Sequence, residues 1–234
     1  MQISAIRMER ARFAAIKFIS ALFAAVLLLS LGVSARAQDT GNTVTNTGIG
    51  GPAPVRYNNR FEAYGGLNLM TFTAGNLQER ANLGGTELLG TWWATHHIGP
   101  GLDIRGEAGT TPVAPNADSF IPPTHRPIVE QFMLMAGAQY RGPRNQQFAL
   151  NYHAYGGADD GIFNRGIHGI PPTTIGLFNN KIKPVGAVGV SLDWNRSAHW
   201  ALRISPDMML TRFGNEWEQT FALTIGVVYR FHEK

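Results

Sequence analysis

From Arg60 to Phe231, segments that alternate position by position between large apolar side chains and small or polar ones recur, separated by turn residues. The last stretch displays the alternation most plainly. Phe221, Leu223, Ile225, Val227, Tyr229 and Phe231 hold the odd positions, and Thr220, Ala222, Thr224, Gly226, Val228 and Arg230 fall between them. A period of two belongs to a strand with two unlike faces. Eight segments of this kind are predicted: 60–73, 86–97, 102–110, 128–141, 147–157, 183–194, 200–210 and the terminal stretch from 221. In the first, Phe61, Ala63, Leu67 and Leu69 oppose Glu62, Tyr64 and Asn68. In the fourth, Phe132, Leu134, Ala136, Ala138 and Tyr140 oppose Gln131, Gly137 and Gln139. The faces of the second, "TELLGTWWATHH", cannot be assigned from its pattern.

The connections alternate in length. "IGPG" (98–101), "GPRNQ" (142–146) and "NRSAH" (195–199) read as tight turns, whereas 74–85, 111–127, 158–182 and 211–219 read as long loops. Short turns at one end and long loops at the other describe an up-and-down meander. An even number of strands of about ten residues is the pattern of a transmembrane β-barrel. The expected fold is therefore all-β, an eight-stranded antiparallel up-and-down transmembrane barrel.

Polarity assigns the faces. Glu62, Asp103, Arg105, Glu107, His153, Arg203, Asp207 and Arg230 lie opposite the large apolar residues, and a barrel of eight strands is just wide enough for its side chains to fill it. They are expected to form an interior polar network of paired charges, with the small residues Ala187, Gly189, Ser191, Ala222 and Gly226 leaving them room. Tyr140, Phe148, Trp194 and Trp200, together with Tyr229 and Phe231, gather near the short turns, as an aromatic girdle at a membrane interface does. An exported soluble barrel or sandwich is the competing arrangement; it gives no reason to ring one end with aromatics.

The N-terminus changes the charge argument. A basic stretch with Arg7, Arg10, Arg12 and Lys17 precedes the apolar run "ISALFAAVLLLSLGVS", and "ARA" closes it before Gln38. This reads as a signal peptide over residues 1–37. Residues 38–56 read as a flexible leader and 57–234 as the barrel domain. The first 37 residues hold five bases and one acid, so the net charge of +4 becomes zero beyond them. No nucleic-acid partner is implied. Cysteine is absent, which excludes disulfide frameworks and thiolate metal sites.

The signal peptide, the meander of eight strands and the terminal "VVYRF" resemble the small outer-membrane β-barrel proteins of Gram-negative bacteria, the OmpA/OmpX-like class. The resemblance is architectural and covers roughly 57–231. It implies an outer-membrane location, lipids as surroundings, and recognition of the last strand by the barrel assembly machinery, with Tyr229 and Phe231 as the assembly signal. Two departures stand out. "HEK" follows the terminal aromatic, and Pro206 falls inside the seventh segment, where it suggests a bulge.

Little in the chain points to catalysis. His96 and His97 are adjacent and so face opposite ways in a strand, and no His-x-Ser arrangement is present. No catalytic, cofactor or metal site is assigned, and the chain is read as non-enzymatic. "GADDG" (157–161) reads as a solvated loop tip. "IPPT" occurs at 121–124 and 170–173, where paired prolines favour stiff polyproline II backbone. The loops 111–127 and 158–182 are the candidate surface for an external ligand. The expected role is structural or surface-contacting, with a small pore or solute channel as the alternative and a lipid-modifying barrel enzyme third.

Overall fold

The computed structural model describes residues 55–75, 80–111, 126–167 and 169–231. Eight strands form in chain order: β1 (Phe61–Thr73), β2 (Arg80–Trp92), β3 (Ile98–Thr110), β4 (Ile128–Arg144), β5 (Phe148–Arg165), β6 (Lys181–Asn195), β7 (Trp200–Thr211) and β8 (Glu218–Phe231). Each pairs antiparallel with its sequence neighbours, and β1 pairs with β8, so the sheet closes on itself. Closure satisfies the backbone of every strand and leaves no edge. The seam aligns Phe61 with Phe231 and Glu62 with Arg230.

The strands are longer than the alternation implied, mostly at the long-loop end. β2 begins at Arg80 instead of 86, and β5 runs on to Arg165. The connection read as 158–182 is thereby shortened to 166–180. "GADDG" is not a loop tip: it lies within β5, with Asp159 fully buried and Asp160 exposed. Glycine and aspartate favour turns on their own, but cross-strand pairing to β4 and β6 overrides that local preference. "IGPG" opens β3 instead of forming the turn, which lies at 93–97.

The prolines behave unequally. Pro206 makes no bulge, because β6 and β7 keep one register on both sides of it, from Val185 opposite Thr211 to Asn195 opposite Ala201. Its missing N–H costs ladder bonds without inserting a residue. A register shift does occur between Arg141 and Arg144, at Gly142–Pro143. There the strand approaches its turn and has room to kink.

One face of the wall is apolar throughout. Apart from Trp217, every exposed large apolar side chain among the described residues sits on a strand and points outward. On β1 this band runs from Phe61 to Leu69 and on β4 from Tyr140 to Phe132. Above it the outward positions become mostly polar, at Thr71 and Thr73 on β1 and Glu130 on β4, with Ile128 an exposed exception at the start of β4. The band is therefore confined to a belt around the barrel, and the strands protrude past it towards the long loops.

Candidate functional site

The interior is built in layers along the barrel axis. Nearest the short turns, Glu62 on β1 accepts a hydrogen bond from Arg141 on β4 at 2.7 Å and lies 3.4 Å from Arg230 and 3.7 Å from Arg203. Asp193 on β6 accepts two bonds from Arg203, at 2.6 and 3.0 Å, and one from Arg230 at 3.1 Å. Asn59 and Asn195 fill remaining valences on Arg141 and Arg230. The Arg141 guanidinium also lies over Trp93, its Cζ 3.9 Å from the ring centre. Three guanidiniums thus share two carboxylates, so each buried charge has more than one partner.

The middle layer centres on Arg105 of β3, which is 1% exposed. It binds Asp103 and Asp207 at 2.8 and 2.6 Å and approaches Glu87 at 3.5 Å. His153 meets the other oxygen of Asp207 at 2.8 Å, and Thr224 donates to Glu87 at 2.6 Å. A Cβ at Gly189 would collide with both Asp207 and His153, so the bare backbone there is what admits the pair. Ser205 donates to Asp207 at 3.2 Å. Serine, histidine and aspartate are therefore close, yet the hydroxyl is held by the carboxylate and not by the imidazole. The arrangement lacks the nucleophile-to-base bond that acyl transfer requires.

Beneath the long loops the interior changes character. Phe72, Phe163, Phe178 and Phe213 form an aromatic cluster with ring centres 5.2–6.4 Å apart. Met70, Leu83 and Val129 line the wall around it, and Ile167, Ile175 and Leu177 come from the β5–β6 connection. That connection turns inward. Pro171 has polyproline II geometry (φ −59°, ψ 131°), but the chain then folds into a single 3-10 turn, Pro172–Ile175. Gly176 reverses it at φ 83°, a left-handed conformation suited to glycine. Phe178 then donates its N–H to the Ala74 carbonyl at 2.8 Å, which ties the lid to the β1–β2 side. The interior is thus not a polar core throughout. Its long-loop end is an apolar lid.

The short-turn mouth is covered as well. Val55 is buried and donates its N–H to Gln146 at 2.6 Å, and the Tyr57 hydroxyl donates to the Asn145 carbonyl at 2.8 Å. The Tyr57 ring faces Arg141, Arg144 and Arg230 at 5.2–5.9 Å. Burial raises its phenol above the ordinary range, so the hydroxyl stays a neutral donor. Residues 55–60 therefore cross the opening before entering β1.

Glu62, Asp103, Arg105, Glu107, His153, Arg203, Asp207 and Arg230 all lie inside the barrel, and all except Glu107 join the paired layers just described. Glu107 sits higher and takes a hydrogen bond from Asn68. The structure adds buried charged groups outside that set, chiefly Glu87, Arg141, Asp159 and Asp193. Among the described residues, seven buried carboxylates face four buried guanidiniums. Tyr140, Phe148, Trp194, Trp200 and Phe231 are exposed on the outer wall near the short turns, joined there by Phe61 and Trp92. Tyr229 contacts both Trp200 and Phe231, with ring centres 4.6 and 4.9 Å apart. The proposed cleavage before Gln38, the first "IPPT", most of loop 111–127 and "HEK" lie outside the described residues.

Neither a protein-family model nor a curated protein matches the sequence. Solved structures do match the fold. The outer membrane protein OprG of Pseudomonas aeruginosa aligns over 78% of this chain and 99% of its own, at 13% identity and a TM-score of 0.54. The fold is that of a small outer-membrane barrel. Neisserial surface protein A aligns over 73% of this chain and 97% of its own, at 11% identity and a TM-score of 0.48. The attachment invasion locus protein Ail of Yersinia pestis covers 74% and 99%, at 13% identity and 0.46.

Proposed function

We propose that this chain is an outer-membrane barrel with a structural or surface-contacting role, whose interior is a sealed plug and whose long-loop end is its contact surface. The observation that carries the reading is the continuous belt of outward apolar residues, bounded on the short-turn side by aromatics. Soluble proteins rarely expose contiguous apolar surface beyond a few hundred Å². Here lipid takes the place of a second protein layer. The aromatic girdle then lies at the periplasmic boundary, and the long loops face outward.

Three features of the interior favour a plug over a pore or solute channel: interlocked charges across the short-turn half, Tyr57 at one mouth and the aromatic lid at the other. Because the β5–β6 connection spends its apolar residues on the lid, its exposed remainder and the other long connections are left for outside contacts. Tyr229 and Phe231 serve as the assembly signal.

Fractionation of cells expressing the full chain tests the reading. The protein should extract with membranes and shift its gel mobility on heating, as folded barrels do. A soluble, folded product would overturn it. Deletion from Tyr229 onward should reduce membrane yield far more than deletion of 232–234. Equal loss would remove the assembly role of the terminal aromatics.

A further inference from the structure

We infer that Asn68, Glu107, Gln131 and Asp159 form an oxygen-lined site for one divalent cation, calcium in preference to magnesium, between the polar layers and the aromatic lid. The barrel register brings the four together. Asn68 pairs with Gly85, Gly85 with Glu107, and Glu107 with Gln131; Asp159 stands opposite Met133, one inward position along β4 from Gln131. Gly85 makes the crossing feasible. A Cβ there would come within 2.9 Å of the Glu107 side chain, which lies across β2 to reach Asn68. None of the four is more than 3% exposed, and Gln131 and Asp159 are fully buried.

The hydrogen bonding leaves a specific set of atoms over. The Asn68 amide nitrogen donates to one oxygen of Glu107, which fixes both side chains. Five oxygens then accept no bond from the described protein: Oδ1 of Asn68, Oε2 of Glu107, Oε1 of Gln131 and both carboxylate oxygens of Asp159. Buried polar groups are otherwise almost always paired, and an unpaired buried carboxylate is among the costliest groups a fold can hold.

Charge points the same way. Among the described residues, neither Glu107 nor Asp159 belongs to an ion pair. Arg105 below is already engaged by Asp103, Asp207 and Glu87. Lys183 stands opposite Asp159 in the β5–β6 ladder, but its side chain is partly exposed and makes no ion pair with it. Two carboxylates and two amide oxygens, with no nitrogen or sulfur ligand, suit a hard cation. The irregular set, with both oxygens of Asp159 on offer, suits the 6–8-fold shell of calcium better than the strict octahedron of magnesium. Phe72, Phe163 and Phe213 roof the layer above, so the ion would enter during folding and exchange slowly. The site depends on the barrel register and not on the membrane assignment.

The test is to refold the full chain in detergent micelles with calcium chloride, magnesium chloride or EDTA, and desalt it into metal-free buffer. Retained metal is counted by elemental mass spectrometry, thermal unfolding is recorded, and the gel-mobility shift reports folding. The calcium sample should keep about one ion per chain and unfold at a higher temperature than the EDTA sample. E107Q/D159N should retain none and show one melting curve in either condition, whereas K183M should still hold the ion. Folded wild-type protein without retained calcium would overturn the proposal, as would equal retention by E107Q/D159N. So would preferential retention of magnesium, or calcium held by K183M and not by wild-type protein, which would make Lys183 the counter-charge.

Discussion

The two ends of the barrel interior solve the same packing problem with opposite chemistry. Towards the short turns, Arg141, Arg203 and Arg230 share Glu62 and Asp193 in a network where geometry is exacting. Towards the long loops, Phe72, Phe163, Phe178 and Phe213 pack without directional bonds. The charged half specifies register, since a slip of one residue would carry every partner to the outer wall. The aromatic half supplies burial that tolerates imperfect fit, which suits a lid assembled from connections of irregular shape. Removing one charge strands its partners; trimming one ring leaves only a smaller contact.

The largest effect is therefore expected from Arg203→Met. It leaves Glu62 and Asp193 short of a partner and should cost about 3–5 kcal/mol in detergent–urea unfolding. Neutralising only Asp193 in the same chain, as D193N/R203M, leaves Glu62 to pair with Arg141 and Arg230 and should recover part of that loss. No recovery would mean that the network acts through packing alone. Next comes the outer wall. Leu192→Arg places a charge in the apolar belt and should cost roughly 2–4 kcal/mol in lipid, whereas Thr224→Ser on the inward face keeps its hydroxyl bond to Glu87 and should change little. Equal tolerance at both positions would invert the facing of β6 and β8.

Gly189→Ala probes the middle layer. The added methyl meets the His153–Asp207 pair, and a loss of about 1–3 kcal/mol is expected from overpacking. The smallest effect belongs to the lid: Phe163→Leu should cost under about 1.5 kcal/mol in the same unfolding assay. A lid substitution as damaging as Arg203→Met would erase the contrast between the two ends.

What the sequence made legible follows the same division. Where polar and apolar residues alternate strictly, as at Phe61–Glu62–Ala63 or Leu102–Asp103–Ile104–Arg105, the inward charges can be read directly. Glu87 was hidden because Leu88 and Leu89 in β2 place apolar side chains on both faces. Asp159 was hidden by its neighbours: in "GADDG" every residue favours a turn, and only pairing to β4 and β6 makes it strand. The lid left a signal of its own in "LNLMTF", where apolar residues occupy both faces of one strand. Such runs mean burial on both sides. That Tyr57 closes the short-turn mouth depends on contacts with Asn145 and Asn195, far away in sequence, and no local pattern encodes it.

A barrel that is filled and closed, as proposed above, passes no ions. Planar-bilayer recording of the refolded chain tests it most directly. A plugged barrel should give a flat trace at every applied voltage, with no unitary steps, from protein whose gel mobility proves it folded. Reproducible channel steps of one size from that same preparation would contradict it.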